Sequence, residues 1–159
     1  MSSPGGRPTA GWCESMGYPV SDVVSFLRGT WIIERRIVDE RAGEVGNFAG
    51  TAEFAPDGDA WSWVEAGELQ WVADTHKAGR RLLVAVRPEV PCVVDVTFDD
   101  GRFFHRADLS SGSDAFVHGC PPDTYSGTWT VDSADQFRLT WDVEGPAKRI
   151  TIRSTYCRR

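Results

Sequence analysis

Two histidines, His105 and His118, share the alternation parity of large apolar residues in the runs 102–108 and 115–120, and the short polar segment Ser110-Ser111-Gly112-Ser113-Asp114 joins those runs. If the two strands pair, the rings come close together. Imidazole exchanges a proton near neutral pH more readily than any other side chain, so two of them on an apolar face point to general acid–base chemistry. Glu65 has the parity of Trp61 and Trp63, and a carboxyl against an apolar wall has its pKa raised into the range of a working acid or base. Tyr125, in phase with Trp129 and Val131, offers a hydroxyl that can donate to a developing oxyanion. His105, His118, Tyr125 and Glu65 form the candidate catalytic set. The plainer alternative for each histidine is a satisfied structural residue.

A second set would hold the ligand. Arg35, in phase with Trp31, Ile33 and Ile37, suits a carboxylate or enolate; it could equally form a buried ion pair with Glu65 of purely structural value. Trp61, Trp63, Trp71 and Trp141 are expected to line an apolar cavity, with Cys120 and Tyr156 among its sparse polar groups. Tryptophans also fill ordinary cores. Packing alone does not account for the inward polar residues, each of which costs roughly 1–3 kcal/mol if buried unpaired. His118-x-Cys120 places an imidazole and a thiol on one strand face, but even with His105 this is too loose a ligand spacing for a metal centre, and no metal is expected. Asp108 and Asp123 fall near strand ends, at the mouth of a barrel; for Asp123, after Pro121-Pro122, a turn aspartate is the simpler reading. There is no glycine-rich phosphate loop, nucleophile elbow or dinucleotide fingerprint, so no cofactor is expected.

The elements that would position these groups are strands. After Gly29 the pattern has period two, in runs of about seven residues separated by turn signals such as Pro56-Asp57-Gly58-Asp59, Asp99-Asp100-Gly101 and Glu144-Gly145-Pro146. Strands are expected near 30–38, 46–55, 60–66, 68–76, 80–87, 92–98, 102–108, 115–120, 125–131, 137–143 and 147–157. Ser21 is the expected N-cap of a short helix carrying Val23, Val24, Phe26 and Leu27, with Gly29 as its stop. The fold class is therefore all-β: one antiparallel up-and-down barrel with a short N-terminal helix, residues 21–159, preceded by a loose tail over 1–20.

The chain has 159 residues, a formal net charge of −6 and 41% hydrophobic residues. That length suits one domain with its own core. The acidic balance argues against a nucleic-acid partner. No apolar run approaches the roughly 20 residues of a membrane span, and the first residues lack the basic start and apolar stretch of a secretory signal, so a cytoplasmic location without a membrane partner is expected. Cys13, Cys92, Cys120 and Cys157 lie far apart and are read as free thiols. Assembly is left open, a homodimer included.

Gly29-Thr30-Trp31, directly after the short helix, resembles the Gly-x-Trp opening of lipocalins and other calycin barrels. That likeness implies a basic residue of the last strand packed over the tryptophan, with Arg149 or Arg153 as the candidates. More broadly, FLRGTW, ERRIVD, FAPDGD, DGRFFHRADL, HGCPPDTYSGTW and GPAKRITIRSTY resemble a family of bacterial lipocalin-like proteins known as a domain of unknown function. The resemblance implies the barrel and carries no activity; relatives beside metabolic genes point to small-molecule biosynthesis. Two functions follow. One is a cofactor-free enzyme that isomerises, cyclises or eliminates within an apolar or aromatic metabolite. The other is a passive carrier of such a molecule. The enzyme is preferred here because a carrier needs fewer titratable groups in an apolar wall.

Overall fold

The structure is a computed structural model and describes residues 17–159; most of the expected tail, residues 1–16, lies outside the described residues. Residues 17–20 are not loose. Tyr18 N–H donates to Val131 O (2.7 Å) and Val20 N–H to Leu109 O (2.9 Å), and Val20 is buried. The helix α1 is Val23–Leu27, and its N-cap is Asp22 rather than Ser21, because the Asp22 carboxylate accepts from Ser25 N (3.1 Å). Gly29, at φ 107, then turns the chain into the first strand.

Ten antiparallel strands follow: β1(Gly29–Asp39), β2(Glu44–Asp57), β3(Ala60–Trp71), β4(Asp74–Ala85), β5(Val93–Phe98), β6(Phe103–Asp108), β7(Ser113–Cys120), β8(Asp123–Ser133), β9(Gln136–Gly145) and β10(Lys148–Arg158). Their order is β6-β5-β4-β3-β2-β1-β10-β9-β8-β7, so β1 pairs with β10 and the sheet curls into a nearly closed barrel. All strands are joined in sequence as expected, but the described residues form ten and not eleven. The runs 60–66 and 68–76 were expected to break at Gly67. Instead β3 passes straight through, because Gly67 faces Gly50 across a close backbone approach: a Cβ on Gly67 would stand 2.2 Å from Ala49 O. The turn comes at Val72-Ala73, with Val72 at φ 55.

Parity sorts the interior largely as anticipated: Trp31, Ile33, Trp63, Glu65, His105, Ala107, Trp129 and Tyr156 are all at most 2% exposed. One strand departs. A β-bulge after Val96 shifts the β5–β6 register, so Phe103 is 55% exposed and its neighbour Phe104 is buried instead. β4 pairs with β5 only from Leu82 to Ala85. Asp74–Arg81 therefore have no ladder partner on that side among the described residues, which leaves a lateral opening in the barrel wall.

At the helix end, Trp31 is fully buried, with Phe26 and Phe137 at ring centroids of 5.5 and 4.9 Å. Its Nε1–H donates to Leu27 O (2.8 Å). The cation over its face is Arg158, 4.2 Å from the ring centroid, which also donates to the Phe26 and Arg28 carbonyls at the end of α1. Arg149 and Arg153 have the opposite parity and pair outside with Glu40 and Asp142. Trp31→Ala should lower unfolding free energy by about 3–5 kcal/mol in urea titration. A loss under about 1 kcal/mol would mean that this end closes without the ring.

Candidate functional site

The centre of the barrel holds a polar knot around one carboxylate. Glu65 is brought inward on β3 between Trp63 and the β2 residue Ala52, and its cross-strand partner on β4 is Arg80. Arg80 Nε donates to Oε1 (2.7 Å), and Arg35 Nη2, from β1, reaches both oxygens (2.9 and 3.0 Å). Trp63 Nε1–H donates to Oε2 at 3.1 Å and the Tyr156 hydroxyl, from β10, at 2.5 Å. Arg35 in turn donates to the Tyr156 hydroxyl (2.9 Å) and, through Nε, to Ser154 Oγ (2.7 Å). The Glu65 side chain is 1% exposed, Arg35 12% and Arg80 35%.

This arrangement reverses the expected behaviour of Glu65. Burial by itself would push its pKa up, but the adjacent Arg80 and Arg35 guanidiniums outweigh burial and hold the carboxyl down at about 2. It stays ionised throughout the neutral range. The Tyr156 hydroxyl is pushed up by its burial and by the neighbouring Glu65 charge, so it remains a neutral donor.

Beside the knot lies an aromatic wall. Phe98 stacks on Phe104 (4.4 Å) and Phe104 on Trp141 (4.9 Å); His105 stacks on Phe116 (4.2 Å) and lies edge-on to Trp141 (5.3 Å). Phe116 and Trp141 both cover Gly127, where a Cβ would fall 2.3 Å from the Phe116 ring. Burial of His105, followed by the nearby Arg80 charge and His118, lowers its pKa from 6.5 to about 3. The ring is thus uncharged at neutral pH, not poised for proton exchange there. Its Nδ1 and the Nε1 of Trp129, both buried, have no hydrogen-bond partner among the described residues, and the two rings are 6.2 Å apart.

The remaining expected site residues are dispersed. His118 is half-buried and does not lie on a strand paired with that of His105, since β6 and β7 are the two ends of the sheet. Both rings instead meet Phe104, at 5.0 Å for His105 and 5.4 Å for His118. Tyr125 is the register partner of His118, with ring centroids 5.9 Å apart. The four tryptophans do not converge on one space. Trp61 sits beside α1 with Val24, Leu27 and Val84; Trp71 lies over Gly46 and donates to Glu44 (3.0 Å); Trp63 is packed by Phe54, Trp129 and Tyr156. Only Trp141 belongs to the aromatic wall. Cys120 is exposed at the end of β7 and is a free thiol, as are Cys92 and Cys157. Asp108 caps Ser110 N–H (3.0 Å) in a turn, and Asp123, at the start of β8, pairs with Lys148 of β10 (3.1 Å).

Arg80 is the residue that sequence reading passed over, although it shares parity with the buried Leu82 and Val84 of its strand. It borders the lateral opening, where a recess of about 540 Å³ is lined by Arg80, Arg81, Leu82, Phe98, Asp99 and Asp100.

A ten-stranded up-and-down barrel closed at one end by a helix, a Gly-x-Trp opening and an arginine over that tryptophan defines a lipocalin-like protein. The chain belongs to the family of unknown function DUF6314, whose model matches residues 27–158. No curated protein matches the sequence. Among solved structures it is similar to the S-type phycobiliprotein lyase CPES from Guillardia theta, at 8% identity and a TM-score of 0.58, over 89% of this chain and 93% of that one. It is also similar to a protein of unknown function of the DUF3598 family from Nostoc punctiforme, at 10% identity and a TM-score of 0.60. That match covers 94% of this chain and 53% of the other, so the chain spans about half of that protein. A redesigned β-barrel bound to DFHBI matches at 19% identity and a TM-score of 0.44, over 87% of this chain and 100% of that one. At these identities the likeness is one of fold. Among the described residues no helix is long and apolar enough to cross a membrane.

Proposed function

We propose that this barrel binds a small aromatic or otherwise apolar molecule against the wall formed by Phe98, Phe104, Trp141 and the two histidines. The observation that carries this reading is the pair of buried polar atoms without protein partners, Trp129 Nε1–H and His105 Nδ1. The indole donates, and His105 Nδ1 accepts when the neutral imidazole carries its proton on Nε2. A guest hydroxyl that reached both would accept from the indole and donate to the ring, and each left unpaired costs roughly 1–3 kcal/mol. Binding without chemistry is the reading the geometry favours, because Glu65 is held ionised and His105 uncharged. The catalytic alternative rests on His118 and Tyr125, whose ring centroids stand 5.9 Å apart at the same wall.

The probe is 2-naphthol, neutral at pH 7. Saturable quenching of tryptophan fluorescence is expected, with affinity weakened about tenfold in Trp129→Phe, which stays aromatic but is smaller and loses the donor. No saturation, or equal binding by the variant, would overturn the reading. Among naphthol-like metabolites that bind, product formation lost in His118→Ala would move the function to the enzyme, and binding without product keeps the carrier.

A further inference from the structure

Counting charges around Glu65 leaves an excess. Two guanidiniums, Arg35 and Arg80, share a single carboxylate. The other groups of the knot are neutral: Ser154, the Trp63 indole and the Tyr156 hydroxyl, whose environment opposes ionisation. His105 adds no charge at neutral pH. The two acids that line the recess with Arg80 are already engaged, Asp99 by Arg81 and Asp100 by Arg102. The centre of the barrel therefore carries one uncompensated positive charge. Arg80, 35% exposed and sharing its only carboxylate among the described residues with Arg35, is left free to take a further anion.

Geometry says where the counter-ion would sit. Arg80 spends Nε and Nη2 on Glu65, and none of its hydrogen bonds uses Nη1. Its side chain is 35% exposed, against 12% for Arg35, and it forms part of the recess of about 540 Å³ at the opening. Leu82 and Phe98 flank it there, and Phe98 continues into the stack with Phe104 and Trp141. A cationic end and an aromatic wall thus meet at one entrance.

We infer that the ligand is an aromatic anion, a carboxylate by preference, which enters through the gap beside β4 and places its negative group on Arg80 Nη1 and its ring along Phe98 and Phe104. This rests on the binding function proposed above and adds the charge class of the ligand. A planar carboxylate suits a guanidinium edge that is already fixed from behind by Glu65, since the fork needs no further ordering to receive it.

Isothermal titration of the wild-type chain with 2-naphthoate and with its methyl ester tests the charge directly, with 2-naphthol as the neutral reference. The acid should bind at least about tenfold more tightly than the ester, and raising the salt concentration should weaken the acid and leave the ester unchanged. Arg80→Gln should remove the preference by weakening only 2-naphthoate, while Arg80→Lys should retain part of it. If 2-naphthol and the ester bind but the acid is no tighter, the charge inference is overturned and the binding function stands. Equal loss of acid and ester in Arg80→Gln, with the fold intact by circular dichroism, also overturns it. If none of the three compounds binds, both readings fail.

Discussion

Replacing Glu65 by Gln should destabilise the barrel by about 3–5 kcal/mol, read as a lower urea midpoint with little change in slope. Glutamine keeps the shape but removes the only charge among the described residues that compensates Arg35 and Arg80, and its amide NH₂ would face guanidinium donors where an acceptor stood. Tyr156 and Trp63 would each compete for the single remaining oxygen. Removing the whole set should hurt less than removing its centre. In a combined Arg35→Met, Glu65→Leu, Arg80→Met variant no buried ion is left unpaired, and much of the lost stability should return. A Glu65→Gln loss below about 1 kcal/mol would show that the arginines relax to solvent and that the knot is not a fixed feature of the native state.

Acid should weaken the fold well before ordinary carboxylates titrate. His105 has a folded pKa of about 3 against its usual 6.5, so between those values the unfolded chain takes up a proton that the native ring refuses. Stability present above pH 6.5 is therefore lost as pH falls toward 3, with a limiting slope of about 1.4 kcal/mol per pH unit. Glu65, at about 2 against 4.5, adds a second loss only below about pH 4.5, where the unfolded carboxyl protonates first. The groups that face His105 reinforce this. Arg80 and His118 both disfavour a protonated His105, and its ring neighbours Phe104, Phe116, Trp129 and Trp141 are aromatic. Urea midpoints measured from pH 7 to 4 should fall steeply in the wild-type chain, while His105→Phe should flatten the decline between pH 6.5 and 4.5 and leave the part below it. Parallel curves for the two proteins would mean that His105 titrates normally.

Much of the interior was legible one strand at a time. The alternation that carries Trp61 and Trp63 inward carries Glu65 with them, and the same rule places Arg35, His105 and Tyr156. Applied to the last strand it also points to Arg158, whose parity is that of Tyr156, rather than to Arg149 or Arg153; the family likeness drew attention to the wrong basic residues. It points to Arg80 as well. The exchange of Phe103 for Phe104 was not legible, because a bulge is a misfit between two strands and leaves no mark in either alone. The continuity of β3 through Gly67 is of the same kind, since that glycine serves a close approach to Gly50 and not a turn.

Sequence by itself determined the all-β class, the helix before the Gly-x-Trp opening and the inward face of nearly every strand, since pleat and turn chemistry act over a few neighbouring residues. Only the tertiary structure decided what those inward groups are. Glu65 meets Arg35 across 30 residues of chain and Tyr156 across 91, and those meetings turned an expected proton donor into a fixed anion. His105 became an uncharged ring in an aromatic wall for the same reason. A pKa is set by the charges and the water around a group, and the fold brings those together from strands distant in sequence.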